Sequence, residues 1–170
     1  MDNIILCGFM GCGKSTTGRL LAEKTGRAFV DMDEYIEAKA GMTISSIFAQ
    51  YGEADFRRRE REACRELAAR NDLVIAAGGG ALTFQENADV LSSTGTIVLL
   101  EIKPETVLKR LQGDTTRPLL MREDKEAAVR ELMEQRLPLY RRAAAAAVDG
   151  EGAPDAVAAS IEAVVKGAIA

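Results

Sequence analysis

Apolar positions along this chain fall into two rhythms, short uninterrupted runs and longer stretches with helical spacing. The runs at 2–7, 28–31, 73–77 and 96–102 have strand length and little polar alternation. Strands that are apolar on both sides belong in a parallel sheet with helices packed on each face. Between them, residues 14–25 predict a helix closed by Gly26, and 34–40 a helix stopped by Gly41. A short helix follows at 44–49, ahead of Tyr51-Gly52. Residues 53–70 predict a long charged helix whose Phe56, Ala63, Cys64 and Leu67 share a core-facing stripe. Pro104 opens another helix at its first turn, one more runs from Glu126, and a last one covers 153–166. Residues 112–125 lack an apolar period and carry Gly, Thr, Pro and charges, which predicts a mobile loop. With no internal repeat and no linker, the pattern predicts a single α/β domain over 1–170.

Local preference and fold pattern conflict at one place, the alanine run 143–147. Helix propensity carries the helix from Glu126 straight through it. A three-layer α/β fold asks instead for an edge strand ending at Val148-Asp149, and a strand is predicted.

The sharpest chemical signal lies where the first strand ends. Gly8-Phe9-Met10-Gly11-Cys12-Gly13-Lys14-Ser15 fits G-x-x-x-x-G-K-[ST], between a strand and a helix. Such a loop turns backbone N–H groups inward around an anion, and the helix N-terminus adds partial positive charge. Lys14 can reach the β- and γ-phosphates, and the Ser15 hydroxyl can ligate Mg²⁺. The plainer alternative is a helix preceded by a flexible glycine turn, but the full motif in this context points to a bound nucleoside triphosphate. Cys12 sits inside the loop, where the local positive field favours a thiolate. Against that stands an inert small side chain.

Bulk properties narrow the rest. A net charge of −4 disfavours nonspecific nucleic-acid binding, so anionic ligands must be held by local arginines. There are no histidines, which excludes an imidazole base and His-containing metal sites. Three cysteines without a C-x-x-C pair suggest reduced thiols. The N-terminus runs into an apolar strand without a basic leader, and no apolar run approaches the ~18 residues of a membrane helix. A soluble, cytoplasmic protein is expected.

Asp31 and Asp33 are placed at the carboxyl end of the second strand, the sheet edge where ligands bind. Asp31 suits the Mg²⁺ shell, and Asp33 can orient a nucleophilic hydroxyl and accept its proton. Either can also be a plain helix cap. Gly78-Gly79-Gly80 predicts a tight turn on the same edge, where a ligand approaches backbone, as against a flexible loop. Most arginines of Phe56-Arg57-Arg58-Arg59-Glu60-Arg61 read as a solvated face with pairs such as Glu53–Arg57 and Arg58–Glu62. Arg136 and Arg117 are better isolated. A guanidinium suits capture of a carboxylate or neutralisation of a transferring phosphoryl group. Arg117, in the mobile segment, fits the second task, because a closing lid excludes water.

Together these residues form an ordered set: G-F-M-G-C-G-K-S-T-T-G-R (8–19), D-M-D (31–33), F-R-R-R-E (56–60), G-G-G-A (78–81), T-R-P-L-L (116–120) and R-L-P-L-Y (136–140). In this set the chain resembles the shikimate kinase family over nearly its whole length. The resemblance implies a three-layer P-loop fold of the nucleoside-monophosphate-kinase type, with a five-stranded parallel sheet and a mobile lid at about 112–125. It implies transfer of the γ-phosphate of MgATP to the 3-hydroxyl of shikimate by a cytoplasmic monomer. Gly11, Cys12, Gly13, Lys14, Ser15 and Thr16 would cradle the nucleotide phosphates, with Arg110 flanking the adenine and Arg117 in the lid. Ser15 would ligate Mg²⁺, and Asp31 would hold it through water. Lys14, Asp33 and Arg117 would be catalytic. The acid-binding segment would be the helical stretch at about 33–61. Asp33 would bind shikimate hydroxyls, Arg57 and Arg136 would grip the carboxylate, and Gly79 and Gly80 would donate backbone contacts. Glu60 would brace the arginines, while Phe48 and Phe56 line the pocket. A kinase of another sugar acid such as gluconate, or a noncatalytic nucleotide-binding regulator, remains the alternative. The alanine run departs from the family's β-branched strand.

Overall fold

The computed structural model describes residues 2–111 and 125–169. Five strands, β1 (Asn3–Cys7), β2 (Ala28–Asp31), β3 (Leu73–Ala76), β4 (Gly95–Glu101) and β5 (Ala146–Asp149), form one sheet in the order β2-β3-β1-β4-β5. Every pairing is parallel, and central β1 sets the register, with Ile5 opposite both Ile75 and Ile97. Its residues are buried throughout, as a strand covered on both faces requires.

Alternation along the strands divides the core in two. Ile4, Leu6, Val74, Val98 and Leu100 face α1 (Lys14–Thr25) and α7 (Pro154–Ile169), meeting Leu21, Val157 and Ile161. Ile5, Ile75, Ile97 and Leu99 face the opposite layer. That layer contains α2 (Met32–Ala40), α3 (Ile44–Ala68), α4 (Gln85–Ser92), α5 (Pro104–Arg110) and α6 (Lys125–Ala143). Helix α1 lies close over the sheet because residue 18 is glycine: a Cβ there would stand 2.5 Å from Phe29 Cε1. Among the described residues no helix is long and apolar enough to cross a membrane.

The break expected at Gly52 is present, its φ of 85° kinking α3 between two helical segments. Two expectations need correction. Asp33 is not at a strand end: β2 stops at Asp31, and Asp33 lies in the first turn of α2. The alanine run is shared between the two candidates, since α6 continues through Ala143 and β5 starts at Ala146. Alanine's propensity extends the helix until the open edge of β4 offers backbone partners, beginning with Ala145 N–H to Ile97 O at 2.8 Å. Helix α4 was unassigned in the sequence, having only Ala88 and Leu91 as buried apolar residues. The predicted mobile loop falls almost wholly outside the described residues.

Candidate active site

Three chain crossings at the carboxyl edge of the sheet build the site. Between β1 and β3 the strand order reverses, which opens a crevice at the strand ends. The turn after β1 fills one side of it. Gly13 caps α1 at φ 91°, a conformation that a side chain would strain. Gly8 is packed from two directions: a Cβ there would lie 2.9 Å from both Leu100 O and Cys12 Sγ. Lys14 Nζ arches over the turn, donating to Gly8 O at 2.6 Å and Phe9 O at 3.2 Å. Ser15 Oγ donates to Asp31 Oδ2 at 2.6 Å. The other Asp31 oxygen accepts the Glu34 N–H at 3.1 Å, so Asp31 is both the cap of α2 and a partner of the phosphate loop. Gly11, Gly13, Lys14, Ser15, Thr16, Asp31 and Asp33 line a cavity of ≈ 200 Å³ here. Arg110 Nη1 reaches the same turn, donating to Gly11 O at 3.0 Å.

Cys12 takes no part in that lining. Its side chain is buried in the core between α1 and the sheet, with Sγ 3.7 Å from Lys14 Nζ. Of the two readings of Cys12, burial favours the inert small side chain, which leaves only its backbone to face the cavity. Cys7 below it is likewise buried, and burial pushes its thiol up to about 12.

A second cavity of ≈ 400 Å³ adjoins the first, lined by Asp33, Phe48, Phe56, Arg57, Glu60, Gly79, Gly80 and Arg136. Asp33, Met10 and Gly79 border both cavities, so one cleft joins them. Phe48 and Phe56 form its apolar wall, with ring centroids 5.0 Å apart. The Arg57 guanidinium lies 5.3 Å from the ring centroids of both Phe56 and Phe84. Its Nη1 donates to Glu60 Oε1 at 2.9 Å, while Nη2 stands 3.4 Å from Glu53. Arg136 is 7% exposed, its guanidinium 5.8 Å from the Phe9 ring centroid. Arg136 Nη1 and Arg57 Nε are buried without hydrogen-bond partners among the described residues. A desolvated, unpartnered cationic N–H is costly in a folded chain, and an anion bound here would offset that cost. Burial pushes the Glu60 carboxyl above its ordinary range, with the Arg57 charge opposing the shift.

The triple glycine leaves room for the side chains of the site. A Cβ at Gly78 would come 2.8 Å from Asp33 Oδ1, one at Gly79 3.3 Å from Arg136 Nη1, and one at Gly80 2.6 Å from Arg57 Nη1. The turn is thus crowded by the side chains of the site itself. The structure therefore brings together every site residue predicted from sequence except Arg117, which lies outside the described residues, and the Cys12 side chain. Sequence reasoning missed Met10, Glu37 and Ile44 in the lining, the Phe84 stack and the role of Tyr140. Met10 occupies a wildcard of the loop motif, and Phe84 sits in the region left unassigned. Tyr140 carried a signal, since it lies one helical turn beyond Arg136.

Residues 10–166 match the family described as shikimate kinase. The chain belongs to the shikimate kinase family. A shikimate kinase of Parasynechococcus marenigrum is 46% identical over 94% of this chain and 83% of its own length. The structure of a shikimate kinase from Acinetobacter baumannii, solved in complex with shikimate, is 42% identical with a TM-score of 0.95, covering 98% of this chain and 94% of that one. A gluconokinase from Sinorhizobium meliloti, 16% identical with a TM-score of 0.61 over 99% of this chain and 95% of its own, shares the fold alone. Kinase chemistry and the three-layer P-loop fold with its five-stranded parallel sheet follow for this chain from that membership.

Proposed function

We propose that this kinase transfers the γ-phosphoryl group of MgATP to the 3-hydroxyl of shikimate, giving ADP and shikimate 3-phosphate. The observation that carries the reading is the shared cleft: Asp33 borders both the phosphate-loop cavity and the cavity holding Arg57 and the unpartnered Arg136 Nη1. A small polyhydroxy carboxylate fits a cavity lined by two guanidinium groups and the Asp33 carboxylate.

In this reading Arg57 and Arg136 hold the substrate carboxylate, and Gly79 and Gly80 present backbone to it. Asp33 orients the 3-hydroxyl and accepts its proton as the oxygen attacks the γ-phosphorus and the bond to the bridging oxygen of ADP breaks. Lys14 turns from the loop carbonyls toward the phosphoryl oxygens, and Arg117 supplies further positive charge. Ser15 and Asp31 suit Mg²⁺: they are hard oxygen donors 2.6 Å apart, and no cluster of three or more acidic, Cys or His ligands exists among the described residues. Mg²⁺ generally binds through one or two protein oxygens, with waters and substrate phosphates completing its shell. Asp31, whose two oxygens already serve Ser15 and Glu34, would act through water. Bound Mg²⁺ would neutralise charge on the β- and γ-phosphates. Arg110, exposed beside Gly11, is positioned to flank the adenine. We place the enzyme in the cytoplasm as a monomer, which suits its three buried free thiols.

The deciding assay is ADP release coupled to an optical readout, with shikimate and gluconate compared side by side. Turnover with shikimate is expected. Turnover with gluconate alone overturns the substrate assignment. An absence of shikimate-binding heat in calorimetry would support the noncatalytic alternative.

A further inference from the structure

Tyr140 is 3% exposed, one helical turn beyond Arg136 on α6, and its hydroxyl donates to the carbonyl of Gly79. Phe9, Leu99, Met133 and Leu137 line a cavity with its ring, so the phenol approaches the glycine turn from an apolar side. Burial pushes the phenol well above its ordinary range, the neighbouring Arg136 charge pulling the other way, so it stays a protonated donor at working pH. Gly79 is the one glycine of the turn that borders both the phosphate-loop cavity and the acid cavity. There are no cis peptides among the described residues, and a planar trans peptide holds C=O and N–H in opposite directions. A donor that fixes the Gly79 carbonyl from the α6 side therefore aims the Gly80 N–H the other way. The turn's own bonds, Ala81 N–H to Gly78 O at 3.1 Å and Thr83 N–H to Gly80 O at 3.2 Å, engage the carbonyls on either side but not that of Gly79, and three consecutive glycines have the widest backbone freedom of any sequence.

We propose that Tyr140 is a positioning residue for the acid substrate: its hydroxyl locks the Gly79–Gly80 peptide, and with it the face of the turn that Arg136 and Arg57 flank. The inference rests on the shikimate kinase reading of this site. Tyr140 touches no substrate; it acts through Gly79. One helix thus contributes two functions four residues apart, the cation at 136 and the lock at 140.

Tyr140→Phe removes the hydroxyl and keeps the ring. The net worth of one such bond predicts a rise of about 3- to 10-fold in KM for shikimate. The KM for MgATP should move less than about twofold, and the calorimetric Kd of shikimate for the nucleotide-free protein should follow its KM. Asn3→Ala is the control, because the buried Asn3 side chain bonds Arg70 O and the Leu73 N–H at the amino end of the sheet, away from the cleft. It should lower the melting midpoint without moving either KM. Assays run well below each variant's melting midpoint separate loss of fold from loss of positioning. An unchanged shikimate KM in Tyr140→Phe, whatever the melting midpoint, overturns the inference, as does an equal rise in both KM values. Wild-type protein that turns over no shikimate overturns the functional reading instead.

Discussion

Arg57 Nη1 donates to Glu60 Oε1 at 2.9 Å one helical turn away, and Glu60 is only 1% exposed. The pair lines the acid cavity, so a carboxylate is buried beside the arginines proposed to bind another carboxylate. Desolvation dominates its titration: the Glu60 carboxyl lies above its ordinary range in the folded chain, Arg57 and Arg136 opposing the rise and Asp33 adding to it.

That shift has a signed consequence. Folded protein binds the Glu60 proton more tightly than unfolded protein does. The associated stability is therefore full below the unfolded value and lost as pH rises through the folded value. Glu60→Gln keeps the shape and removes the titration. Scanning calorimetry at pH values rising from the ordinary carboxylate range should show the wild-type midpoint falling relative to the variant. Parallel curves would mean that Glu60 titrates alike in both states.

Gly80→Ala places a Cβ 2.6 Å from Arg57 Nη1. The obstacle is the end of a flexible side chain, so the fold should survive at a cost of about 1–2 kcal/mol. Arg57 then leaves its position, and KM for shikimate should rise roughly tenfold with KM for MgATP unmoved. Gly78→Ala meets Asp33 Oδ1 at 2.8 Å instead, and its loss should appear in kcat. Steady-state kinetics on both variants checks the split, and identical kinetic defects would refute it.

How much of this was legible in the sequence depends on how far apart the cooperating residues lie. The phosphate loop was fully legible, because strand, glycine turn and helix N-terminus are consecutive and each leaves a local mark. The acid site was not, since Asp33, Arg57, Gly79 and Arg136 come from four separate segments. Only the ordered set of family motifs joined them. Charge alone hid Arg57 among five charged neighbours, whereas burial separates it from Arg58, whose partners Asp55 and Glu62 lie on the helix surface. The triple glycine looked like a place where ligand meets backbone. The structure adds that side chains of the site occupy that space first. Tyr140 signalled its place one helical turn beyond Arg136 but not its partner, because a carbonyl has no sequence signature.

Ser15→Ala removes the hydroxyl that pairs with Asp31 at 2.6 Å. The Mg²⁺ concentration giving half-maximal activity should rise at least tenfold, with KM for shikimate little changed. Asp31→Asn keeps a capping oxygen for the Glu34 N–H, so α2 should stay folded while the Mg²⁺ requirement rises. Mg²⁺ titrations of initial rate decide this, and a wild-type Mg²⁺ curve in Ser15→Ala would remove Ser15 from the metal's shell.

Arg136 offers the most direct test of substrate recognition, because its Nη1 has no partner among the described residues to compensate for burial. A charge-assisted bond to a carboxylate contributes about 1.5–3 kcal/mol, so Arg136→Ala should raise KM for shikimate about 10- to 100-fold. The proposed MgATP site is the phosphate-loop cavity on the other side of Gly79, so its KM should stay within about twofold. Arg136→Lys restores charge without the planar fork and should recover only part of the loss. Thermal melting should fall less in Arg136→Lys than in Arg136→Ala, which also loses the side-chain interaction of Arg136 with Tyr140. Equal increases in both KM values, or full recovery by lysine, would show that Arg136 supplies positive potential to the whole cleft rather than a directional grip on the acid.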